Sequence, residues 1–92
     1  MSFTERYYLV LLMEEAAEII HAASKGWRFG LDHDEPGYGQ GTNKDQITHE
    51  VGDLLAIIEK LMLDPEEINK AKARKHIKLQ RIEQKYTVSK EE

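Results

Sequence analysis

Two pairs of acidic residues stand out in this chain: Glu15 with Glu18, and Glu50 with Asp53. Residues three apart lie on the same face of an α-helix, so each pair directs two carboxylates the same way. If the two helices pack antiparallel, all four carboxylates converge. Charges gathered beside apolar residues need a counter-ion, and Mg²⁺ prefers oxygen ligands of this kind. The spacing therefore predicts a Mg²⁺ site of the sort that binds phosphates.

Three helices are predicted to position these acids, which makes the expected fold all-α. The first runs from about Phe3 to Ser24 and stops at Gly26. The second runs from about Lys44 to Leu63 and the third from about Pro65 to Tyr86, with 87–92 as a polar tail of a single domain, residues 1–92. Residues suited to N-terminal capping precede the helices: Ser2 with Glu5, Thr42 or Asn43, and Asp64 with Pro65 and Glu67.

The segment from Gly26 to Asn43 is predicted to be irregular, because it holds five of the six glycines and Pro36. Loops of this length are usually functional or disordered, and its aromatic residues argue against simple disorder. Two interpretations stay open: Trp27 pins a glycine-rich connector onto the core, or the loop covers a substrate.

The composition restricts the class of protein. Ninety-two residues make one small domain, and the absence of cysteine excludes a disulfide framework, a zinc finger and a thiol nucleophile. No apolar signal region begins the chain, which predicts a cytoplasmic protein. The longest apolar run, Tyr7 to Met13, is far shorter than the roughly 20 residues of a membrane span. A soluble protein without a membrane partner is expected.

Charge is distributed unevenly along the chain. Residues 1–64 carry 5 basic and 12 acidic side chains, a balance of −7, whereas residues 65–92 carry 8 basic and 5 acidic ones, a balance of +3. Between Ile68 and Lys85 there are seven Lys or Arg residues and one Glu. An acidic body with a basic third helix fits a protein that holds metal in one part and an anion in the other.

Helix 1 is apolar on nearly every face, and helix 2 is rich in Leu, Ile and Val. A helix of that kind is buried on most sides, which two partner helices in a 92-residue monomer cannot achieve. The pattern predicts a homodimer or homotetramer that completes a bundle of three helices per chain. Gly52, inside helix 2, is predicted to permit close approach of another helix or a ligand.

At the acidic pairs the chain resembles the MazG-like all-α nucleoside triphosphate pyrophosphohydrolases. Their signature is an E-x-x-E pair, a spacer and an E-x-x-D pair, seen here at residues 14–18 and 50–55. Residues 24–30, with Thr42-Asn43, look like a subgroup of short, often phage-encoded members. The resemblance covers about Glu14 to Arg81. It implies hydrolysis of a nucleoside triphosphate to monophosphate and pyrophosphate with Mg²⁺ or Mn²⁺, by dimers or tetramers. Beside the resemblance, we expect the deoxy form of the substrate to be favoured and the protein to act in the cytoplasm, that of the host if it is phage-encoded.

The resemblance also implies roles for individual residues. Glu15, Glu18, Glu50 and Asp53 would hold one to three metal ions, and Glu15 or Glu18 would accept the proton of the attacking water. Basic and amide residues after the second pair would hold phosphates: Asn69, Lys70, Lys75, Lys78 and Arg81. Lys25 and Arg28 would add contacts from the loop.

The base preference is open. Trp27, Phe29, Tyr38 or Tyr7 could stack on any base. Asp32, Asp34 and Glu35 could accept hydrogen bonds from guanine, which favours purines only weakly.

Three other interpretations compete with hydrolysis. Glu18-x-x-His21 matches half of a di-iron carboxylate site, but no second Glu-x-x-His follows. His49-Glu50 begins like a zinc protease motif without its second histidine. The remaining alternative is a non-catalytic oligomerisation module whose basic third helix binds nucleic acid, although the acidic body argues against it.

Overall fold

A computed structural model describes residues 1–34, 39 and 41–90, and for 87–90 it describes the backbone alone. Within these ranges the chain forms three α-helices and no strand: α1 (Phe3–Phe29), α2 (Asn43–Lys60) and α3 (Pro65–Lys90). The predicted all-α class with three helices is confirmed. None of the described helices combines the length and apolar character needed to cross a membrane.

The predicted capping residues begin the helices. The Ser2 hydroxyl accepts a hydrogen bond from the Glu5 amide at 3.0 Å. Thr42, rather than Asn43, caps α2. Its hydroxyl accepts from the Asp45 amide at 3.1 Å, and the Asp45 carboxylate accepts from the Thr42 amide at 3.0 Å. This reciprocal pair satisfies two amides that the first turn of a helix leaves unpaired.

At the start of α3, the Asp64 carboxylate accepts from the Glu66 amide at 2.9 Å. The predicted partner in this cap, Glu67, instead forms an exposed ion pair with Lys70 at 3.3 Å. A carboxylate can bond to a lysine one turn along its own helix as readily as to the preceding backbone, and the sequence does not choose between the two.

The predicted end of α1 was too early. The helix passes through Gly26 and ends at Phe29, and Gly30 follows with a φ of 95° that favours glycine. Gly26 serves packing instead. A Cβ atom at this position would lie 3.2 Å from the Leu31 side chain and 3.6 Å from that of Ile47. The missing side chain therefore lets the chain beyond α1 lie close to α2.

The other two helix ends also differ from prediction. α2 ends at Lys60, three residues before the predicted Leu63, and Met62 takes a φ of 53° that stops the helix. α3 continues past Tyr86 to Lys90, because no glycine or proline interrupts the residues after Tyr86. The last two residues of the predicted tail, 91–92, lie outside the described ranges.

The chain divides into two units, Met1–Met62 and Leu63–Glu92. In the first, α1 and α2 pack antiparallel: Asn43 at the start of α2 bonds to Lys25 near the end of α1, while Glu15 faces residues farther along α2. The α1–α2 interface consists of half-buried or buried residues spaced three or four apart: Tyr8, Leu12, Glu15, Ile19, Ala22 and Gly26 on α1, and Asn43, Ile47, Glu50, Leu54 and Ile58 on α2.

Little of the described chain is fully buried. Ala22 is its one buried apolar residue, and Asn43 its one buried polar residue. The face of α1 opposite the interface carries an outer stripe of exposed apolar side chains: Phe3, Tyr7, Val10, Met13, Ala17, Ile20 and Trp27. α1 is thus apolar on two opposite faces, of which α2 covers one.

Candidate metal centre and adjoining cleft

Three carboxylates meet where α1 and α2 pack against each other. Glu15 comes from α1, and Glu50 and Asp53 come from α2. One oxygen from each lies within 4.8 Å of the others. Glu15 and Glu50 are half-buried because they occupy interface positions that the helical period otherwise gives to apolar residues, whereas Asp53 is exposed. Only oxygen ligands face one another here, as a hard divalent cation requires.

The clustering raises the pKa of Glu15 above its ordinary value. The largest cause is partial burial, followed by the negative charges of Asp53 and Glu50 and a hydrogen bond with the Glu50 carboxyl group. Each of these effects favours the protonated form. A divalent cation between the three carboxylates would relieve the same repulsion without a proton.

Glu18, the fourth predicted ligand, lies outside this group of three. A separation of three residues turns a helix by about 300°, so the members of a pair point about 60° apart. Glu15 faces Glu50 and Asp53, whereas Glu18 lines an adjoining cleft. Glu18 still contributes the smallest of the charge effects on the pKa of Glu15.

This cleft, with a volume of about 810 Å³, is bounded by α1, the first two turns of α2 and the chain before α2. Glu50 belongs both to its lining and to the carboxylate cluster, so the two are continuous. Lys25, a predicted substrate-binding residue, lines it. Besides Glu18 and Glu50, the described part of the lining contains four side chains whose nitrogen atoms can donate hydrogen bonds: His21, Lys25, Gln46 and His49.

Gly41 shapes the edge of the cleft beside the start of α2. Its φ is 80°, and a Cβ atom there would lie 2.6 Å from the Asp45 carboxylate. Hydrogen bonds from Thr42 to that carboxylate lower the pKa of Asp45. Only glycine leaves room for the Asp45 carboxylate in this cap, so glycine is required at position 41, just before the start of α2.

The remaining loop predictions have mixed outcomes. Trp27 is 89% exposed within the described chain, so the interpretation that it pins the loop onto the core is wrong. Phe29 instead contacts the His33 ring, with a centroid distance of 5.6 Å. Arg28 bonds to the Ser24 carbonyl oxygen at 3.4 Å. Trp27 and Arg28 are absent from the described lining of the cleft, and their contact with substrate stays a prediction.

The stacking candidate Tyr7 is half-exposed and packs on Tyr8 at a centroid distance of 5.5 Å. Asp32 and Asp34 are exposed. Tyr38, Pro36 and Glu35 lie outside the described residues. The predicted phosphate-binding residues are all exposed on α3 in the second unit, and their role stays a prediction: Asn69, Lys70, Lys75, Lys78 and Arg81.

Three residues of the cleft lining were not predicted to bind substrate: His21, Gln46 and His49. The sequence does show that Gln46 and His49 share a helical face with Glu50 and that His21 follows Glu18 by three residues. Asn43 lies outside the cleft lining, and its burial was not apparent from the sequence, because a helix-start asparagine is ordinarily exposed. No histidine joins the carboxylate group of the described residues, which leaves the di-iron interpretation without support.

Comparison with known proteins identifies no relative of this chain. The chain matches no protein-family model, and it shows no significant match to a curated protein or to a solved structure.

Proposed function

We propose that the chain is a metal-dependent nucleoside triphosphate pyrophosphohydrolase of the MazG-like all-α type. One observation carries this proposal: Glu15, Glu50 and Asp53 bring carboxylate oxygens within 4.8 Å of one another at the edge of a cleft. A charge cluster half-buried between two helices opposes folding unless it binds something. The acidic pairs that the family signature requires supply all three residues.

The three residues fit a magnesium ion or its manganese substitute. Oxygens that share one Mg²⁺ at its usual bond length lie at most about 4.2 Å apart, so small side-chain rotations would bring this group into range. Glu15, Glu50 and Asp53 would hold the ion. When bound, the ion supplies charge neutralisation for the phosphates and a lowered pKa for water.

Glu18 is the better candidate for the general base. It lines the cleft but lies outside the group of three, so its carboxylate is not committed to metal. In the proposed reaction, water attacks the α-phosphorus and its proton passes to Glu18. The bond from the α-phosphorus to the bridging oxygen breaks, and that oxygen leaves with pyrophosphate. The products are a nucleoside monophosphate and pyrophosphate.

The cleft would hold the rest of the substrate. Lys25 offers a positive charge to phosphate oxygens, and His21 and His49 offer hydrogen-bond donors from opposite walls. Cationic side chains on α3 are proposed to offset the remaining phosphate charge, with Lys75 and Lys78 as the principal pair. A triphosphate carries more negative charge than the cluster's ion alone can neutralise.

A second copy of the chain is proposed to cover the outer stripe of α1. The stripe runs 24 residues from Phe3 to Trp27, or about 36 Å of helix. From Phe3 to Ile20 its members recur every three or four residues, the spacing with which helices interlock in a bundle, and Trp27 follows two turns later. A stripe on one long helix meets its own copy across a two-fold axis without any other partner.

Incubation with a panel of dNTPs and NTPs tests the proposed reaction. With Mg²⁺, the protein should release monophosphate and pyrophosphate, identified by ³¹P NMR, and excess EDTA should stop the reaction. Diphosphate plus inorganic phosphate as products, or no turnover with any nucleotide and either metal, would contradict the proposal. The ratio of rates on matched dNTP and NTP substrates tests the preference for deoxynucleotides.

A nucleic-acid-binding module is the competing function, and α3 supplies its one favourable observation. All seven Lys and Arg residues from Lys70 to Lys85 are exposed. A salt-dependent mobility shift with DNA or RNA, together with no nucleotide turnover, would favour this alternative.

A further inference from the structure

Asn43 is the most buried polar residue of the described chain, with 2% of its surface exposed. Its side-chain amide donates to the Gly30 carbonyl oxygen at 2.9 Å and to the Lys25 carbonyl oxygen at 3.4 Å. One carboxamide at the start of α2 therefore binds the last two turns of α1 and the residue that follows α1. Loss of this donor would remove one hydrogen bond from each of these two part-buried carbonyl oxygens.

The backbone around Asn43 is tied to the same segment. Its amide donates to the His33 carbonyl oxygen at 2.9 Å, and the Lys44 amide donates to that of Leu31 at 2.9 Å. The chain after α1 is thus bonded to the first turn of α2 through both backbone and side chain. We call these four hydrogen bonds the Asn43 junction.

The Asn43 junction lies between the two walls of the cleft. Lys25, whose carbonyl accepts from Asn43, presents its side chain to the cleft from α1. Gln46 follows Asn43 by three residues and lines the opposite wall from α2. Asn43 itself is absent from the described lining, so it can affect a ligand only through the residues that it holds.

We infer that Asn43 is a positioning residue: its carboxamide fixes the separation of the two cleft walls and thereby sets the affinity of the site for its nucleotide. The inference rests on the proposed function. Its effect is expected on binding rather than on the chemical step, because the carboxylate cluster lies farther along α2. Glu50 and Asp53 are seven and ten residues beyond Asn43, about 10 and 15 Å along the helix.

Two substitutions with different chemistry test the inference. Asn43→Ala removes both side-chain hydrogen bonds, and Asn43→Asp keeps the size but places an acceptor against two carbonyl oxygens. Each should raise the KM for the nucleotide by about tenfold or more while kcat changes by less than about threefold. Gln84→Ala and Gln84→Glu repeat the same chemical changes at an exposed amide on α3 and should leave both constants unchanged.

The outcomes separate positioning from stability and from charge. A lowered melting temperature with unchanged KM in both variants would mean that Asn43 only stabilises the fold, and it would overturn the inference. An effect in Asn43→Asp alone would assign the change to the added charge and would also overturn it. Wild-type protein that turns over no nucleotide contradicts the proposed function itself, so the two failures are distinguishable.

A measurement on the wild type covers the case in which the variants fail to fold. The chain has two asparagines, Asn43 and Asn69, and Asn69 is exposed. Selective ¹⁵N labelling of asparagine gives two pairs of side-chain amide signals, one pair for each residue. The Asn43 amide hydrogens should exchange with solvent at least about tenfold more slowly than those of Asn69. Equal exchange rates would show that the carboxamide is not held, and the inference would fail.

Discussion

At the scale of single residues, Glu15 is a half-buried acid that meets two further carboxylates. It lies on α1, and the other two carboxylates come from Glu50 and Asp53 on α2. Burial and the neighbouring charges raise its pKa in the folded chain. The folded state therefore holds the proton more tightly than the unfolded state, so folding stability falls as pH rises through the Glu15 pKa.

Replacing Glu15 with Gln should therefore increase the thermal stability of the metal-free protein at neutral pH. The gain should shrink as pH falls below the raised pKa of Glu15, because the wild-type side chain is then neutral as well. The variant should lose turnover, and Mg²⁺ should no longer raise its melting temperature. Thermal unfolding from pH 4 to pH 8, with and without Mg²⁺, measures both effects.

Glu14→Gln is the matched control, because Glu14 is exposed and stands beside Glu15 in the chain. It should retain turnover and the response to Mg²⁺. If Glu15→Gln lowers the melting temperature of the metal-free protein at neutral pH, the electrostatic account of the cluster is wrong.

The two α2 acids carry a simpler prediction. Glu50→Gln and Asp53→Asn should each abolish turnover, since each removes a ligand charge while leaving the apolar interface positions intact. Circular dichroism should show unchanged helix content. Wild-type activity that persists in EDTA, or full activity in both variants, would show that these carboxylates do not bind a metal ion needed for the reaction.

At the scale of elements, the sequence was sufficient for the helices and their starts but not for their ends. Capping residues act locally, so Ser2, Thr42 and Asp64 could be identified from their neighbours alone. Gly26 looked like a stop signal for the helix. It is instead glycine because a side chain there would crowd Leu31 and Ile47, and Ile47 is distant in the sequence. A local sequence pattern cannot predict tertiary packing of this kind.

The same distinction applies to the site. Helical spacing placed Glu15, Glu50 and Asp53 together because both helices are regular. Both pairs have the same offset of about 60°, yet both members of the second pair join the group and only Glu15 of the first does. Helical spacing alone does not distinguish these cases, so Glu18 was expected in the group that it borders. The cleft depends on how α1, the chain between the helices and α2 pack together. His21 and Gln46 line it only because of that packing, which the sequence pattern does not specify.

α3 is expected to contribute phosphate contacts through Lys75 and Lys78. Replacing both with Ala should lower kcat/KM by more than about tenfold, on the order of 1.4 kcal/mol, with helix content unchanged. The double variant Lys72→Ala, Lys85→Ala removes the same charge from the same helix and should reduce kcat/KM far less. Equal losses would indicate a general charge effect, and no loss in either would make α3 a solvated face.

At the scale of the whole molecule, the outer stripe of α1 decides the expected assembly. Phe3, Met13 and Ile20 are 85%, 64% and 70% exposed in a single chain. Sedimentation at micromolar concentration should therefore show a dimer or tetramer, and a species of only 10.7 kDa would contradict this prediction. Ile20→Glu should shift the population toward monomer, whereas Ile77→Glu, an exposed position on α3, should not.

Gly52 gives an independent measure of the same assembly. Apart from its two chain neighbours and the adjacent backbone of its own helix, no described atom lies within 4 Å of where its Cβ atom would stand. In an isolated chain, Gly52→Ala should therefore stabilise α2 by about 1 kcal/mol. A close helix from a second copy would reverse that sign, because the added methyl group would collide with it. Chemical denaturation of the two proteins at matched concentration reports the direction.

Trp27 gives the molecule its own optical signal. It is the only tryptophan of the chain and stands 89% exposed at the end of the outer stripe. Its indole emission should lie at the long wavelengths of a hydrated ring in dilute monomer and shift to the blue as copies associate. Titrating the protein concentration while recording the spectrum would then follow association without any attached dye.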